Sequence, residues 1–266
     1  MPELPEVEII RKQLAKELVG SVIVGVEARR EKCYEGSKEL KGERIVEMGR
    51  VGKYLFVYFE SGRGLMIHLK MTGRLVINNL WYETADHTRV IIKLADGRKI
   101  YYWDTRMFGY IKVVDSVQLA VGSLKQKMGP GPWEITDIEL LRRLQKTKRS
   151  IKESILDQNL LAGVGNIYAN DGLWESGIDP RRPANSLGVK EVKKLRDSLC
   201  RVLERGLTLG GASDNTFRDA YGGQGSYQKE FLVYGRTGEP CNKCGMPLRR
   251  IVVGGRGTWV CTNCQK

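Results

Sequence analysis

The chain has 266 residues, 41% of them hydrophobic and 28% charged, the composition of a globular protein long enough for two cores. Lys and Arg number 44 against 31 Asp and Glu, and the net charge of +13 suits a polyanionic partner, with nucleic acid ahead of an acidic membrane surface. No apolar run approaches a membrane span and the amino-terminal stretch is acidic, so the expectation is an intracellular, cytoplasmic protein with no membrane partner.

The first stretch reads Met1-Pro-Glu-Leu-Pro-Glu-Val-Glu8. Removal of Met1 leaves Pro2 with a free secondary amine. An α-amino group titrates near ~7.7–8.0 against ~10.4 for lysine, so a useful fraction is neutral near pH 7 and can attack a sugar aldehyde carbon to give an iminium. Glu3 can move protons at the same carbon. On a plainer reading, Pro2 and Pro5 open a helix whose positive end Glu3, Glu6 and Glu8 complement. Val7, Ile10, Leu14 and Leu18 recur at helical spacing, and such a helix would fix Pro2 and Glu3 in place, so both readings hold together.

From 22 to 114 the pattern is of short strands: 22–26, 54–59, 65–69, 90–94, 100–103 and 111–114, with hairpin reversals at Glu60-Ser61-Gly62 and Ala95-Asp96-Gly97. This predicts an antiparallel β-sandwich with an N-terminal helix over 1–115. Lys53, at the head of an apolar strand, reads by position as a solvated charge. Met71, before the Gly73 turn, is either a core gap-filler or an exposed apolar tip able to wedge between base pairs. His68 and His87 read as hydrogen-bonded structural histidines.

Residues 116–133, ending Met-Gly-Pro-Gly-Pro-Trp, predict a linker. Helices follow, one capped by Thr136 or Asp137, one by Ser150, and a long one over 190–206; together with the glycine-rich 210–225 they make a helical domain over 134–226. Lys146, Lys148 and Arg149 read either as a solvated helix face or as phosphate ligands. The glycines of Leu161-Ala-Gly-Val-Gly-Asn166 either make a tight interhelical turn or bare amides to a phosphate. Strand-like 231–234 leads into Cys241-x2-Cys244-x16-Cys261-x2-Cys264, the spacing of a zinc ribbon over 227–266. Four thiolates make a closed structural site for one zinc ion. Gly254, Gly255 and Gly257 flank Arg256 at the hairpin tip and clear space for it to approach a phosphate.

Several of these stretches together resemble the formamidopyrimidine-DNA glycosylases and the related endonuclease VIII group: PELPEVE at 2–8, GKYL at 52–55, HLKMTGRL at 68–75, DTRMFG at 104–109, LLAGVGNIYA at 160–169 and GGRGT at 254–258. The resemblance implies an α+β, two-domain enzyme of base excision repair, a monomer acting on damaged double-stranded DNA with no diffusible organic cofactor. Its helical domain would carry a helix-two-turn-helix element. By resemblance, Pro2 is the nucleophile that attacks C1′ of the damaged nucleotide, Glu3 the acid/base, and Lys53 and Arg256 the phosphate-contacting groups of the elimination steps. Met71 fills the gap left by the everted base, Arg106 bonds the orphaned base, Phe108 wedges beside it, and Asn166 grips the backbone. His87, taken as DNA-binding, matches the second histidine of the family's H-x-H stretch, whose first, DNA-contacting position is Ala85 here. Lys70 stands in place of a glycine and Met107 in place of a cation. Gly222, Gly223, Gln224, Gly225, Ser226 and Tyr227 correspond to the loop over an everted 8-oxoguanine, with amides and Ser226 as donors. Met71, Arg106 and Phe108 favour oxidised purines over the pyrimidines of the endonuclease VIII type. A noncatalytic zinc-ribbon DNA binder is the reading that composition alone allows.

Overall fold

In the computed structural model, which describes residues 1–36, 39–214 and 216–266, the chain divides into two compact units. The first comprises Met1–Gln126 and Leu207–Gln228, and the second Lys127–Gly206 and Lys229–Lys266.

The first unit begins with α1 (Leu4–Leu18), whose Val7, Ile10, Leu14 and Leu18 are all buried, the face that the helical spacing predicts. Strands β1 (Ile23–Ala28), β2 (Tyr34–Glu35), β3 (Ile45–Val51), β4 (Tyr54–Phe59), β5 (Gly64–His68) and β6 (Arg74–Ile77) follow. After the one-turn α2 (Trp81–Thr84) come β7 (Thr88–Leu94), β8 (Lys99–Trp103) and β9 (Tyr110–Val114). They form a four-stranded sheet in the order β1-β7-β8-β6 and a five-stranded sheet in the order β2-β9-β5-β4-β3. Inward side chains of both, among them Leu75, Ile92 and Tyr102 from the first and Leu55, Leu65 and Ile111 from the second, join the apolar face of α1 in one core. Burying each such side chain contributes about 1.5–3 kcal/mol, which is what holds helix and sheets together.

Gly62 and Gly97 take φ of 86° and 87° at the two expected hairpin reversals. Other features depart from expectation. The β2–β9 pairing is parallel, so the sandwich is not purely antiparallel. Strand β3 escapes the sequence pattern because Glu47, Gly49 and Arg50 interrupt its alternation, and β2 and β6 because they are two and four residues long. Much of the linker expected over 116–133 is helical, α3 (Val117–Lys127): the Gly-Pro-Gly-Pro breakers come only after it. Residues 207–228 pack with the first unit instead of closing a domain over 134–226. Their hydrogen bonds explain why: Gln13 on α1 accepts from the Ala220 N–H at 2.9 Å and donates to Asp219 at 2.9 Å, and the Ile77 N–H reaches the Ala220 carbonyl at 2.8 Å.

The second unit contains α4 (Asp137–Gln145), capped by Thr136, and α5 (Ile151–Leu156), capped by Ser150 in a capping box with Glu153, as the sequence predicts. Helices α6 (Asn166–Ser176) and α7 (Val189–Thr208) and the hairpin of β10 (Arg249–Val253) and β11 (Arg256–Val260) complete it. The strand expected at 231–234 is a turn. The N–H groups of Leu232, Val233 and Tyr234 all donate to the buried carboxylate of Asp171, at 3.2, 3.0 and 3.1 Å, so a side chain takes the bonds a ladder would need. Among the described residues no helix is long and apolar enough to cross a membrane.

Candidate active site and nucleic-acid interface

Pro2 and Glu3 lie at the start of α1, both buried. Glu3 is the N-cap residue and shares a capping box with Glu6, whose carboxylate accepts the Glu3 N–H at 2.8 Å. The other oxygen of Glu6 accepts the Ala212 N–H at 2.8 Å, so one carboxylate fixes both the amino-terminal turn and the segment following α7.

Lys53 sits in the two-residue turn between β3 and β4, where Val51 pairs with Tyr54 and Gly52 adopts φ 55°. It is only 6% exposed, which removes the solvated-charge reading. The turn is tied to α1 through Glu8, which accepts from Arg50 at 2.9 Å while Arg50 donates to the Gly52 carbonyl at 2.8 Å. Through this chain, the helix that carries Pro2 and Glu3 also fixes the lysine turn. His68 pairs with Tyr54 across the strands and packs edge-on against its ring at 4.4 Å. Burial, with Lys70 and Lys53 nearby, pushes its pKa down to about 3, so the ring is neutral and Nδ1 accepts the Lys70 N–H at 2.9 Å.

Strands β6 and β8 are neighbours, with Arg74 opposite Trp103, so the loops leading into the one and out of the other emerge at the same end of the sheet. Met71 is 39% exposed on the first, and Arg106 and Phe108 project from the second, with the guanidinium stacked 4.5 Å over the Phe108 ring. Met71 is thus an exposed tip and not a core residue. Lys70 and Met107 both hold left-handed backbones, at φ 51° and 53°. That explains how Lys70 replaces a glycine: the turn survives and the lysine takes its conformation. Met107 turns inward against the core, leaving its two neighbours outward. His87 is exposed beside them, its ring edge-on to Trp103 and bonded to Arg89 at 3.0 Å.

In the stretch 222–227, several of the donors are engaged within the chain. The Gly223 N–H goes to Asp219, Gly225 to Ser213 at 3.0 Å, Ser226 to the Leu209 carbonyl through both its N–H (2.8 Å) and its hydroxyl (3.0 Å), and Tyr227 to Gly211 at 3.1 Å. Tyr227 is wholly buried. These are turn bonds set by Asp219 and by Gly222 at φ 87°, which sequence composition does not reveal. Asn215, in the glycine-rich stretch, lies outside the described residues.

In the second unit the structure brings Asn166 and the Arg256 hairpin together. Asn166, the first residue of α6, donates to the Gly257 carbonyl at 3.2 Å, and Asn170 one turn on accepts the Trp259 N–H at 2.8 Å. Lys152, fully buried and without a signal in the sequence, reaches the Gly257 carbonyl at 2.9 Å and the Thr258 hydroxyl at 2.7 Å. Gly254 and Gly255, at φ 56° and 72°, form the two-residue reversal and leave Arg256 exposed. The turns before α6 are held by Gln158, which accepts the Gly163 N–H at 2.9 Å and donates to Val164 at 3.0 Å. Lys148 is exposed between α4 and α5, whereas its neighbour Arg149 is engaged with Asp157 at 2.7 Å.

The sulfurs of Cys241, Cys244, Cys261 and Cys264 all lie within 4.8 Å of one another. Cys241 and Cys264 are 3.9 Å apart and Cys244 and Cys261 3.4 Å, close to the roughly 3.8 Å expected for tetrahedral thiolates at about 2.3 Å from zinc. The Met246 N–H holds the Cys244 thiol below its ordinary pKa, and the Trp174 indole donates to the Cys241 sulfur at 3.3 Å. This donor set fits one structural zinc ion, held by the four cysteines.

A buried proline and glutamate at the head of α1, a buried lysine on a turn tied to that helix, exposed arginines in a basic chain and a four-cysteine cluster fit the class of zinc-ribbon enzymes that act on nucleic acid. Comparison with known proteins gives the family. Residues 1–111 match the formamidopyrimidine-DNA glycosylase N-terminal domain, 129–218 the formamidopyrimidine-DNA glycosylase H2TH domain, and 238–266 the zinc finger found in FPG and IleRS. The formamidopyrimidine-DNA glycosylase of Desulfitobacterium hafniense is 41% identical over the full length of both chains. Among solved structures, Lactococcus lactis Fpg in complex with an abasic-site DNA superposes with a TM-score of 0.91 at 35% identity over the whole of both chains. MutM (FPG) from Thermus thermophilus superposes at 0.90 and 38%, covering 99% of this chain and 98% of its own. The chain belongs to the formamidopyrimidine-DNA glycosylase family, enzymes of base excision repair with DNA glycosylase and abasic-site lyase activity.

Proposed function

We propose that the protein excises oxidised purines, 8-oxoguanine and formamidopyrimidines, from duplex DNA and nicks the strand by β,δ-elimination. Once Met1 is removed, the Pro2 nitrogen attacks C1′ of the damaged nucleotide, the N-glycosidic bond breaks towards the base, and opening of the sugar leaves an iminium on Pro2. Glu3 supplies and recovers the protons at the sugar. Lys53 holds the phosphate beside the lesion and assists elimination, and Arg256 engages a phosphate for the second elimination. Asn166 and Lys148 bind the backbone, while Met71, Arg106, Phe108 and His87 act on the duplex at the lesion. The protein works as a monomer in the cytoplasm on nucleoid DNA, in keeping with its charge of +13.

The observation that carries the reading is the fixed amino-terminal turn: Pro2 and Glu3 buried at the head of α1, with the Lys53 turn tied to that helix through Glu8 and Arg50. The test is a panel of duplexes carrying 8-oxoguanine, a formamidopyrimidine, an oxidised thymine or an abasic site. Excision of the two purine lesions with nicking of the abasic site is the expected result. Preference for oxidised thymine would move the protein to the endonuclease VIII type, and binding without cleavage would leave a noncatalytic DNA binder.

A further inference from the structure

The Asp104 carboxylate is completely buried at the end of β8, and four donors surround it. One oxygen accepts the Thr72 hydroxyl and the Arg106 N–H at 3.1 Å; the other accepts the Tyr102 hydroxyl at 3.1 Å and the Gly109 N–H at 3.0 Å. An ionised carboxylate is an acceptor only, and this set of donors matches its capacity without a solvent molecule. Thr72 belongs to the loop that presents Met71, and Arg106 and Gly109 bracket the loop that presents Phe108. The Arg106 N–H also reaches the Thr72 oxygen at 3.3 Å, so the two loops are bonded directly as well as through the carboxylate.

Packing is equally tight around this group. A Cβ on Gly109 would lie 2.3 Å from the Tyr102 hydroxyl and 2.6 Å from the His68 carbonyl, and one on Gly73 would lie 2.6 Å from the Leu69 carbonyl and 3.0 Å from the same Tyr102 hydroxyl. Both glycines therefore allow the loops to close over the Asp104–Tyr102 pair. Burial and the Asp104 charge push the Tyr102 pKa up, keeping its hydroxyl a donor. The strained backbones at Lys70 and Met107 flank the same centre, and strain of this kind persists only where surrounding bonds hold it.

We propose that Asp104 is the positioning residue for base eversion, locking the Met71 loop to the Arg106–Phe108 loop so that the three side chains enter the duplex as one preformed wedge. The inference rests on the reading that these three side chains act on the base stack. Asp104 does not touch DNA; it removes the cost of ordering two loops at the moment of insertion. Its loss should therefore slow the step in which an intact damaged base is extruded and spare cleavage where no base needs extruding.

The test uses the full-length zinc-loaded protein in single-turnover assays on an 8-oxoguanine duplex and an abasic-site duplex. Asp104→Asn keeps the shape but points an amide donor at existing donors. It should lower 8-oxoguanine excision tenfold or more, leave abasic-site cleavage within about twofold, and slow a 2-aminopurine fluorescence change beside the lesion. Thr72→Val should reproduce the effect more weakly and Thr72→Ser should rescue it, a pair that remains informative if the Asp104 variant folds poorly. Met71→Ala serves as the reference. If it fails to separate the two substrates, the wedge reading fails. If Met71→Ala separates them while Asp104→Asn and Thr72→Val do not, or if these variants slow both substrates equally, the positioning role is overturned.

Discussion

The two loop regions proposed to meet DNA are built by different means. At the zinc ribbon, Gly254 and Gly255 take the left-handed backbone that a two-residue reversal needs, and four cysteines close the unit beneath it. At the open end of the four-stranded sheet, the left-handed positions are Lys70 and Met107, which carry a steric cost and lie beside buried polar side chains: His68, two residues before Lys70, and Asp104, which also takes the Thr72 hydroxyl from the other loop. The hairpin's reversal is set by its own glycines, and Lys152, Asn166 and Asn170 then bond its second strand from the helices. A wedge specified by buried polar groups exists only after the surrounding sandwich has folded. The first should respond to removal of its metal, and the second should be insensitive to it.

Metal removal should give the largest effect. Structural zinc contributes about 10–16 kcal/mol of apparent binding energy in small ribbons, so Cys244→Ser should lose zinc, and with it DNA binding and strand cleavage by a hundredfold or more. Circular dichroism of the β-sandwich should be little changed. Full cleavage by a protein shown to be zinc-free would break the comparison.

Acid should act on the wedge side. The His68 pKa is depressed from 6.5 to about 3, so the folded protein resists a proton that the unfolded chain accepts. Its contribution is complete above pH 6.5 and is lost as pH falls towards 3, at about 1.4 kcal/mol per pH unit within that window. His68→Gln should flatten this part of the stability profile measured by urea unfolding. An unchanged slope would mean that the ring is protonated in the fold and that Nδ1 does not hold the Lys70 turn.

Glycine exchanges should give the smallest effects, with different signs. Gly254→Ala forces a left-handed alanine whose Cβ would lie 2.4 Å from the Glu153 side chain, and should destabilise the second unit by about 1–3 kcal/mol. Lys70→Gly relieves about 1–2 kcal/mol of left-handed strain but adds chain entropy of about 0.5–1 kcal/mol, so the first unit should be unchanged or slightly stabilised in thermal melts. A large loss on Lys70→Gly would show that the lysine side chain, and not the turn, matters there.

This contrast also explains what was legible in the sequence. The α1 face, both glycine hairpins, the helix caps at Thr136 and Ser150 and the cysteine pairs follow from spacing and turn chemistry acting within a few residues. The match of the family to the whole chain came through short motifs of the same kind. What stayed hidden is what only tertiary contact decides. Lys53 reads as a solvated charge and is buried, because the strand it heads is packed against α1. Asp104 looks like one polar residue in a loop motif until Thr72, Tyr102 and Gly109 arrive around it. Lys152 and Asp171 carry no signal of burial, yet each organises backbone about 60 to 100 residues away. The glycine-rich 210–225 reads as part of the helical domain, whereas the Glu6 carboxylate and the Gln13 amide bind it into the first unit.

The central claim is that chemistry begins at Pro2. Borohydride reduction during turnover of an 8-oxoguanine duplex should trap a covalent protein–DNA adduct, and peptide mapping should place the reduced sugar on the amino-terminal proline of a chain lacking Met1. A sugar found on Lys53, with Pro2 unmodified, would contradict the account.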